Sequence, residues 1–326
     1  MVFDNLVPSY FTPMKNSKLL IFPLLLFGSN VMTGYAQASF KQAKEKFDQK
    51  KYSDAQGILD KLILTNDKDT QSYFLRGKCF FEMHHAQNAF NDFSKYIDMD
   101  PTNALSYWYR GVVMEGVGQF FDAINDFNAV IKYGKDTVMT SGYFHRGSCY
   151  LSVNNKIQSY NDLSTAYQRN PKDKYSRLNF ATILCTMDST DRGIAIFKQL
   201  VKEDNSDYIA CQNIGYFSMD KKQYDTALVY FNKTLTINPK SGYTYNNRGF
   251  LEYKMGNNKE AIKDINTSLK YSKNNSFAYK NRALVNISEG KIDEACEDLI
   301  KARSLGFAEK YGNEVNQLIQ QNCKNK

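Results

Sequence analysis

Proline is scarce in this 326-residue sequence, with six beside eighteen glycines, which argues against long disordered linkers. Tryptophan occurs once and histidine three times. No phosphate-binding loop, dinucleotide fingerprint or His-Glu-x-x-His pattern is present, so the usual sequence signs of an enzyme are missing and no cofactor is implied. No two cysteines stand at a metal-ligand spacing, and no metal site is expected. Long runs of Lys or Arg are absent, and the formal charge of +8 is modest for the length. Nucleic acid is therefore not an expected partner, whereas acidic proteins, anionic lipid or polyanionic glycan suit a mildly basic surface. The apolar run at residues 19–27 falls short of the roughly 20 residues that span a bilayer.

What is present begins with an export layout. Met14-Lys15-Asn16-Ser17-Lys18 is basic, the apolar run follows, and small or polar residues continue to Ala38. That order is the plan of a secretory signal peptide over 14–38, with cleavage expected after Ala36 or Ala38 and no transmembrane segment left afterwards. Residues 1–13 carry Asp4 and two prolines ahead of the basic stretch and read as a misassigned extension or a tail, with Met14 the expected start. The expected location is the periplasm or envelope of a Gram-negative bacterium.

Beyond residue 38 small residues recur at a fixed interval. Ala43, Gly77, Gly111, Gly147, Ala181, Gly215, Gly249 and Ala283 are 34 apart, save one step of 36. Twelve residues behind each stand Ala55, Ala89, Ala123, Ser159, Gly193, Ala227, Ala261 and Ala295. Two antiparallel helices joined by a short turn need small side chains where their backbones cross. Four residues after the second series come Leu59, Phe93, Phe127, Leu163, Phe197, Phe231, Ile265 and Leu299. Tyr73, Tyr107, Tyr143, Tyr245 and Tyr279 precede the first series by four and are expected to share the buried face. Pro101, Pro171 and Pro239 close their units.

A charged pattern is superimposed on this one. Arg76, Arg110, Arg146, Arg248 and Arg282 stand just before the first small residue, and Asp92, Asp126, Asp162, Asp264 and Asp298 stand sixteen positions further on. The other three units have Gln42 with Ile58, Phe180 with Ile196 and Ile214 with Tyr230, so Arg and Asp come and go together. Five salt bridges inside the hairpins are expected, a structural role in place of an anion-binding ladder.

The run Tyr73-x2-Arg76-Gly77-x2-Phe80, then Ala89-x3-Phe93, then Pro101, resembles the tetratricopeptide repeat signature, and the units at 208–239 and 243–268 match nearly as well. The resemblance covers 39–306 and implies an all-α fold: a right-handed superhelical α-solenoid of about eight helix–turn–helix repeats. The repeats lie near 36–69, 70–103, 104–139, 140–173, 174–207, 208–241, 242–275 and 276–306. It also implies a concave groove lined by first helices that holds a protein or peptide segment. Its residues would be Phe74, Lys78, Phe81, Trp108, Phe144, Leu151, Gln212, Tyr216, Asn246, Phe250, Tyr253 and Lys280, with a third or more of them expected to pack against neighbouring helices instead. The Lys–Asn clamp that some of these proteins use for acidic chaperone tails is missing, since Phe40 and Lys44 stand at the expected places.

After the repeats, Gly306 reads as a left-handed cap and 308–323 as one further helix that covers the last hairpin, within a 307–326 cap and tail. That helix folds back over the last repeat, so an oxidising compartment allows a Cys296–Cys323 disulfide. Cys79 and Cys149 share a repeat position two units apart, too far for a bond, and read as small core residues. His84 and His85 fall in a turn, and His145 lies on a first helix beside Arg146. The expectation is a non-enzymatic exported scaffold binding a protein segment, as part of an envelope complex. A glycan- or peptidoglycan-binding module is the alternative.

Overall fold

The computed structural model describes residues 29–323, and among them the regular structure is all α-helix. Two compact units divide the chain, 1–183 and 184–326, with the division inside α9 (Lys174–Thr186). The first unit contains four hairpins. They are α1 (Ser29–Asp48) with α2 (Tyr52–Thr65), α3 (Thr70–Glu82) with α4 (Ala86–Met99), α5 (Ala104–Gly116) with α6 (Phe120–Tyr133), and α7 (Asp136–Ser152) with α8 (Lys156–Arg169). The second unit contains α10 (Thr190–Glu203), then α11 (Tyr208–Asp220) with α12 (Tyr224–Ile237), α13 (Gly242–Lys254) with α14 (Asn258–Tyr271), and α15 (Ser276–Ser288) with α16 (Ile292–Ser304). Within each unit every hairpin packs mainly on the next along the chain, which is the fold class of an α-solenoid.

Local chemistry sets the helix ends. Asp69, Asn103, Asp207, Ser241 and Asn275 each cap a first helix by accepting a backbone N–H from its first turn, and Asp173 accepts from the Ser176 N–H. The turn inside each hairpin needs one residue in the left-handed region. Gly118, Gly256 and Gly290 fill it in three hairpins, and Lys50, His84, Asn154, Asp188 and Lys222 adopt positive φ elsewhere. His84 therefore occupies a position that favours glycine.

The small-residue series does what its spacing requires. An added Cβ on Gly77, Gly111, Gly147, Gly215 or Gly249 would come within 2.9 Å of Phe93, Phe127, Leu163, Phe231 or Ile265 respectively. Each large residue sits sixteen positions after its small partner and is completely buried. Burying one such side chain stabilises the fold by about 1.5–3 kcal/mol. Ser159 in the second series donates to the Gly147 carbonyl at 2.9 Å, which satisfies its hydroxyl inside the core.

All five arginines grip their aspartates with a two-pronged fork, Nε and Nη2 each 2.6–2.8 Å from a carboxylate oxygen. Burial lifts the Asp92 and Asp126 carboxyls above the ordinary value, outweighing the hydrogen bonds from Arg76 and Arg110. Hydrogen bonds donated to Asp162, Asp264 and Asp298 raise the guanidinium pKa of Arg146, Arg248 and Arg282.

The remaining prong, Nη1, reaches back to the preceding hairpin, to Asp60, Ser94, Asn128, Asn232 or Asn266 at 2.6–3.0 Å. Each arginine thus bridges three helices, where the sequence suggested two. The tyrosines four residues ahead of the small series are only partly buried. Each faces the guanidinium of its own unit, with the carbon at its centre 5.4–5.7 Å from the ring. Cation–π contact explains their recurrence better than membership of the core.

Two segments depart from the sequence reading. The 36-residue step falls at α7, which has 17 residues against 13 in α3 and α5, and its N-cap residue Lys135 makes no side-chain cap bond. The expected C-terminal helix breaks in two, α17 (Phe307–Tyr311) and α18 (Glu314–Asn322), because Gly312 adopts φ 95° between them. Gly306 does take the left-handed conformation, at φ 78°. The extension at 1–13 and the signal peptide as far as residue 28 lie outside the described residues. α1 starts at Ser29 and runs through both expected cleavage points. Among the described residues no helix is long and apolar enough to cross a membrane.

Candidate functional site

In the first unit the first helices bring aromatic side chains into two adjoining groups. Phe74 meets Phe93, Tyr96 and Tyr109 with ring centroids 5.3–5.9 Å apart, and Phe81 meets the Tyr109 ring edge-on at 5.3 Å. Lys78 places its ammonium 4.6 Å from the Phe47 ring and 5.9 Å from that of Tyr109. Tyr109 itself stacks on Phe93 at 5.1 Å, which roots this group in the core.

Trp108 opens the second group. Its indole N–H donates to Ser141 Oγ at 2.8 Å, and its ring stands edge-on to His145 at 5.6 Å. His145 stacks on the buried Phe127 at 5.2 Å, meets Phe144 edge-on, and sets Nδ1 2.7 Å from a carboxylate oxygen of buried Glu115. A hollow of about 700 Å³ lies beside it, its walls including Thr140, Ser141, Phe144, His145, Arg169 and Tyr175. The extended N-terminal end of α7 forms one wall, so the irregular step in the repeat and the hollow have the same origin. Arg169 donates to Thr140 Oγ1 at 2.8 Å, while the Tyr175 ring is largely exposed.

In the second unit the same face is more polar. Gln212 accepts from Thr244 at 2.8 Å, and Tyr216 lies edge-on to Phe217, its phenol pKa raised by burial. Asn246 accepts from the Asn281 side-chain amide at 2.9 Å. Phe250 lies beside Tyr253 and beneath the Lys254 ammonium. Lys280 is buried, with its ammonium 3.1 Å from a carboxylate oxygen of Glu314.

Of the twelve residues assigned to a groove, Phe74, Lys78 and Phe81 gather around Tyr109, and Trp108 and Phe144 gather around His145. Leu151 and Asn246 do not line an open surface, since the first is 2% exposed and the second 0%. Leu151 lies in the apolar interior, and Asn246 is held by Asn281 from the following hairpin. Lys280 is likewise enclosed, at 8% exposure.

Tyr109, His145 and Glu115 went unassigned in the sequence reading. So did a run of asparagines, Asn179, Asn213, Asn247 and Asn281, spaced 34 apart immediately before the residues of the arginine position. Moving the repeat register by one residue would have exposed Tyr109, His145 and the asparagines together. Asn281 Oδ1 is buried without a hydrogen-bond partner.

Cysteine chemistry is confined to one end of the chain. Cys296 and Cys323 are joined by a disulfide with Cα atoms 5.8 Å apart. The other four cysteines are buried thiols, and burial pushes Cys79 and Cys185 up to about 12.

Comparison with known proteins adds the family. The tetratricopeptide repeat family model matches residues 208–241 and 243–275. Mouse (Mus musculus) DnaJ homolog subfamily C member 7 is 23% identical over 121 residues, 37% of this chain and 24% of that protein. Human (Homo sapiens) tetratricopeptide repeat protein 6 is 28% identical over 164 residues, 50% of this chain and 24% of that one. The chain therefore spans about a quarter of the length of these curated relatives. The crystal structure of the APC/C hetero-tetramer Cut9-Hcn1 aligns with a TM-score of 0.63 and 15% identity, covering 87% of this chain and 55% of that one, a likeness of fold alone. The two matched repeats, recurrent small-on-large helix contacts and helices packed in successive hairpins support a tetratricopeptide-repeat protein.

Proposed function

We propose that this protein is an exported, non-enzymatic scaffold that binds a segment of another protein on the first-helix face of its hairpins. The reading rests on the aromatic surface of the first unit, where Phe74, Phe81, Trp108 and Phe144 stand partly exposed and Phe144 forms part of the wall of the hollow beside α7. Aromatic side chains bury large area for little conformational entropy, which suits capture of a peptide. Enzyme chemistry has little to build on. The free thiols are buried and held protonated, and His145 is committed to Glu115.

The basic, apolar, small-residue order at 14–38 supports export, and the Cys296–Cys323 disulfide suits an oxidising compartment such as the periplasm. An envelope complex is the setting this favours. The mature protein is expected to begin at residue 37 or 39. N-terminal sequencing that finds Met1 or Met14 instead rejects export.

Binding is tested by pull-down from envelope extracts with the mature chain, Trp108→Ala, Phe144→Ala and, as a control, Phe121→Ser on the exposed side of α6. The two aromatic variants should lose a protein that the control keeps. Equal recovery by all four refutes the reading. The hollow also favours a second reading, a glycan site, because it combines the exposed Tyr175 ring with hydroxyls and charges of both signs. Retention on purified cell wall that survives high salt supports that alternative, since stacking outlasts screened charge.

A further inference from the structure

The short helix α18 is held at both ends. After its last turn Cys323 is bonded to Cys296 on α16, a sequence separation of 27. At its first residue Glu314 accepts from Lys280 Nζ at 3.1 and 3.3 Å. Between these ties Val315 is fully buried, and Leu318 and Ile319 pack on the cluster that contains Leu299 and Phe307. Gly312 precedes the helix in a conformation only glycine adopts easily, and an added Cβ there would touch nothing within 4 Å. A nine-residue helix is too short to persist on its own propensity, so the ties keep it in place.

Lys280 is the unusual partner in this arrangement. Its ammonium lies 5.7–5.8 Å from the rings of Phe250, Phe277 and Phe307, in a box where a cation is stable only beside a carboxylate. Glu314 supplies that carboxylate from the C-terminal segment, yet Glu314 itself stays about half exposed. A second ammonium, Lys254, stands 5.0 Å from the same Phe250 ring. The site is built for an acidic group, and a residue of the chain's own tail occupies it.

We propose that α18 is a redox-released plug. Reduction of the Cys296–Cys323 bond lets it turn away at Gly312, and Lys280 then pairs with a carboxylate of an acidic partner segment in place of Glu314. The reductant is a dithiol. One of its thiolates attacks the Sγ of Cys323, the more exposed of the two residues, and Cys296 leaves as a thiolate that takes up a proton. The second thiol of the reductant then displaces Cys323. Two electrons and two protons pass to the protein, and the reductant ends as a cyclic disulfide. The release step is independent of the partner-binding reading above, whereas the choice of ligand rests on it.

The full chain is compared before and after dithiothreitol treatment. Two readouts are used, backbone hydrogen exchange and the anisotropy of a fluorescein-labelled peptide of alternating glutamate and serine. Reduction should speed exchange at residues 315–322 by roughly 100-fold or more, the scale set by the entropy of closing a loop of this length, and leave α13 and α14 unchanged. The peptide should bind the reduced chain at least about tenfold more tightly than the oxidised one, a difference of ~1.4 kcal/mol. Reduced Lys280→Ala should lose this gain, and a glutamine version of the peptide should show none. Cys323→Ser should behave as the reduced chain does without any reductant. Equal exchange in the two redox states overturns the latch. Faster exchange with equal peptide binding overturns the Lys280 site. Trp108→Ala and Phe144→Ala lie in the other unit and should alter neither readout, so failure of partner capture there is a separate result.

Discussion

Gly215→Ala tests the packing rule on which the whole array depends. Gly215 lies inside α11, and a Cβ there would sit 2.6 and 2.7 Å from two ring atoms of Phe231, a residue with no exposed surface. Contacts that short do not occur between relaxed groups, and a fully enclosed ring has nowhere to retreat. Overpacking of this kind costs about 1–3 kcal/mol. Alanine's better helix propensity offsets about 1 kcal/mol of that, leaving a net loss of about 0–2 kcal/mol. Gly57 on α2 is the control, since its added Cβ would meet nothing within 4 Å, and Gly57→Ala should gain about 0.5–1 kcal/mol.

A third variant isolates the contact. Ala283 already faces Leu299 in the last hairpin, so Gly215→Ala with Phe231→Leu recreates a pairing the protein uses elsewhere. The double variant should be more stable than the sum of the two single effects by about 1 kcal/mol or more. Urea unfolding followed by far-ultraviolet circular dichroism supplies the free energies. A Gly215→Ala chain stabilised as much as Gly57→Ala, or strictly additive effects in the double variant, would refute the small-on-large argument.

Two further outcomes follow from the arginine forks. A double-mutant cycle on Arg110→Ala and Asp126→Ala should give a coupling of about 1–3 kcal/mol by urea unfolding, and Arg110→Lys should recover little because an ammonium cannot span both carboxylate oxygens. The Asp92 carboxyl titrates above its ordinary value in the fold, so its contribution is fully present below that ordinary value and is lost as pH rises through the folded one. Lowering the pH from about 6 to about 4 should therefore shift stability in favour of the native chain relative to Asp92→Asn, and unchanged relative stability across that window would contradict the burial argument.

The hairpin plan was readable because steric demand is strict. Where helices cross, only Gly, Ala or Ser fits, so composition alone marked both series and their large partners. Arg–Asp pairing was readable for a similar reason, since few residues replace a fork on a carboxylate. The backward reach of the same arginines was not, because any side-chain oxygen accepts the third prong, and the acceptors are an aspartate, a serine and three asparagines. The tyrosines were misplaced for want of a rule separating a ring over a guanidinium from a ring in the core.

The binding face was legible only in part. First-helix register put Leu151 in the same position as Phe81, but packing buried one and left the other partly open. Asn246 was taken for surface because no register rule foresees a side chain reaching from the next hairpin. Gly312 falls inside the 308–323 stretch read as one helix, and only its backbone conformation shows that it divides the tail.

The third prong of each arginine also bears on how the array comes apart. In the first unit Arg76, Arg110 and Arg146 rivet every hairpin to its predecessor, and in the second Arg248 and Arg282 do the same. At the α10–α11 boundary the corresponding residue is Ile214, which carries no third prong, and the exposed Lys221–Asp191 ion pair is a weaker tie. Nearest-neighbour coupling governs how far a local opening spreads through stacked repeats. Breathing that starts at that boundary should stop at the riveted hairpins on its C-terminal side, making α10–α11 the perforation along which the second unit tears under load.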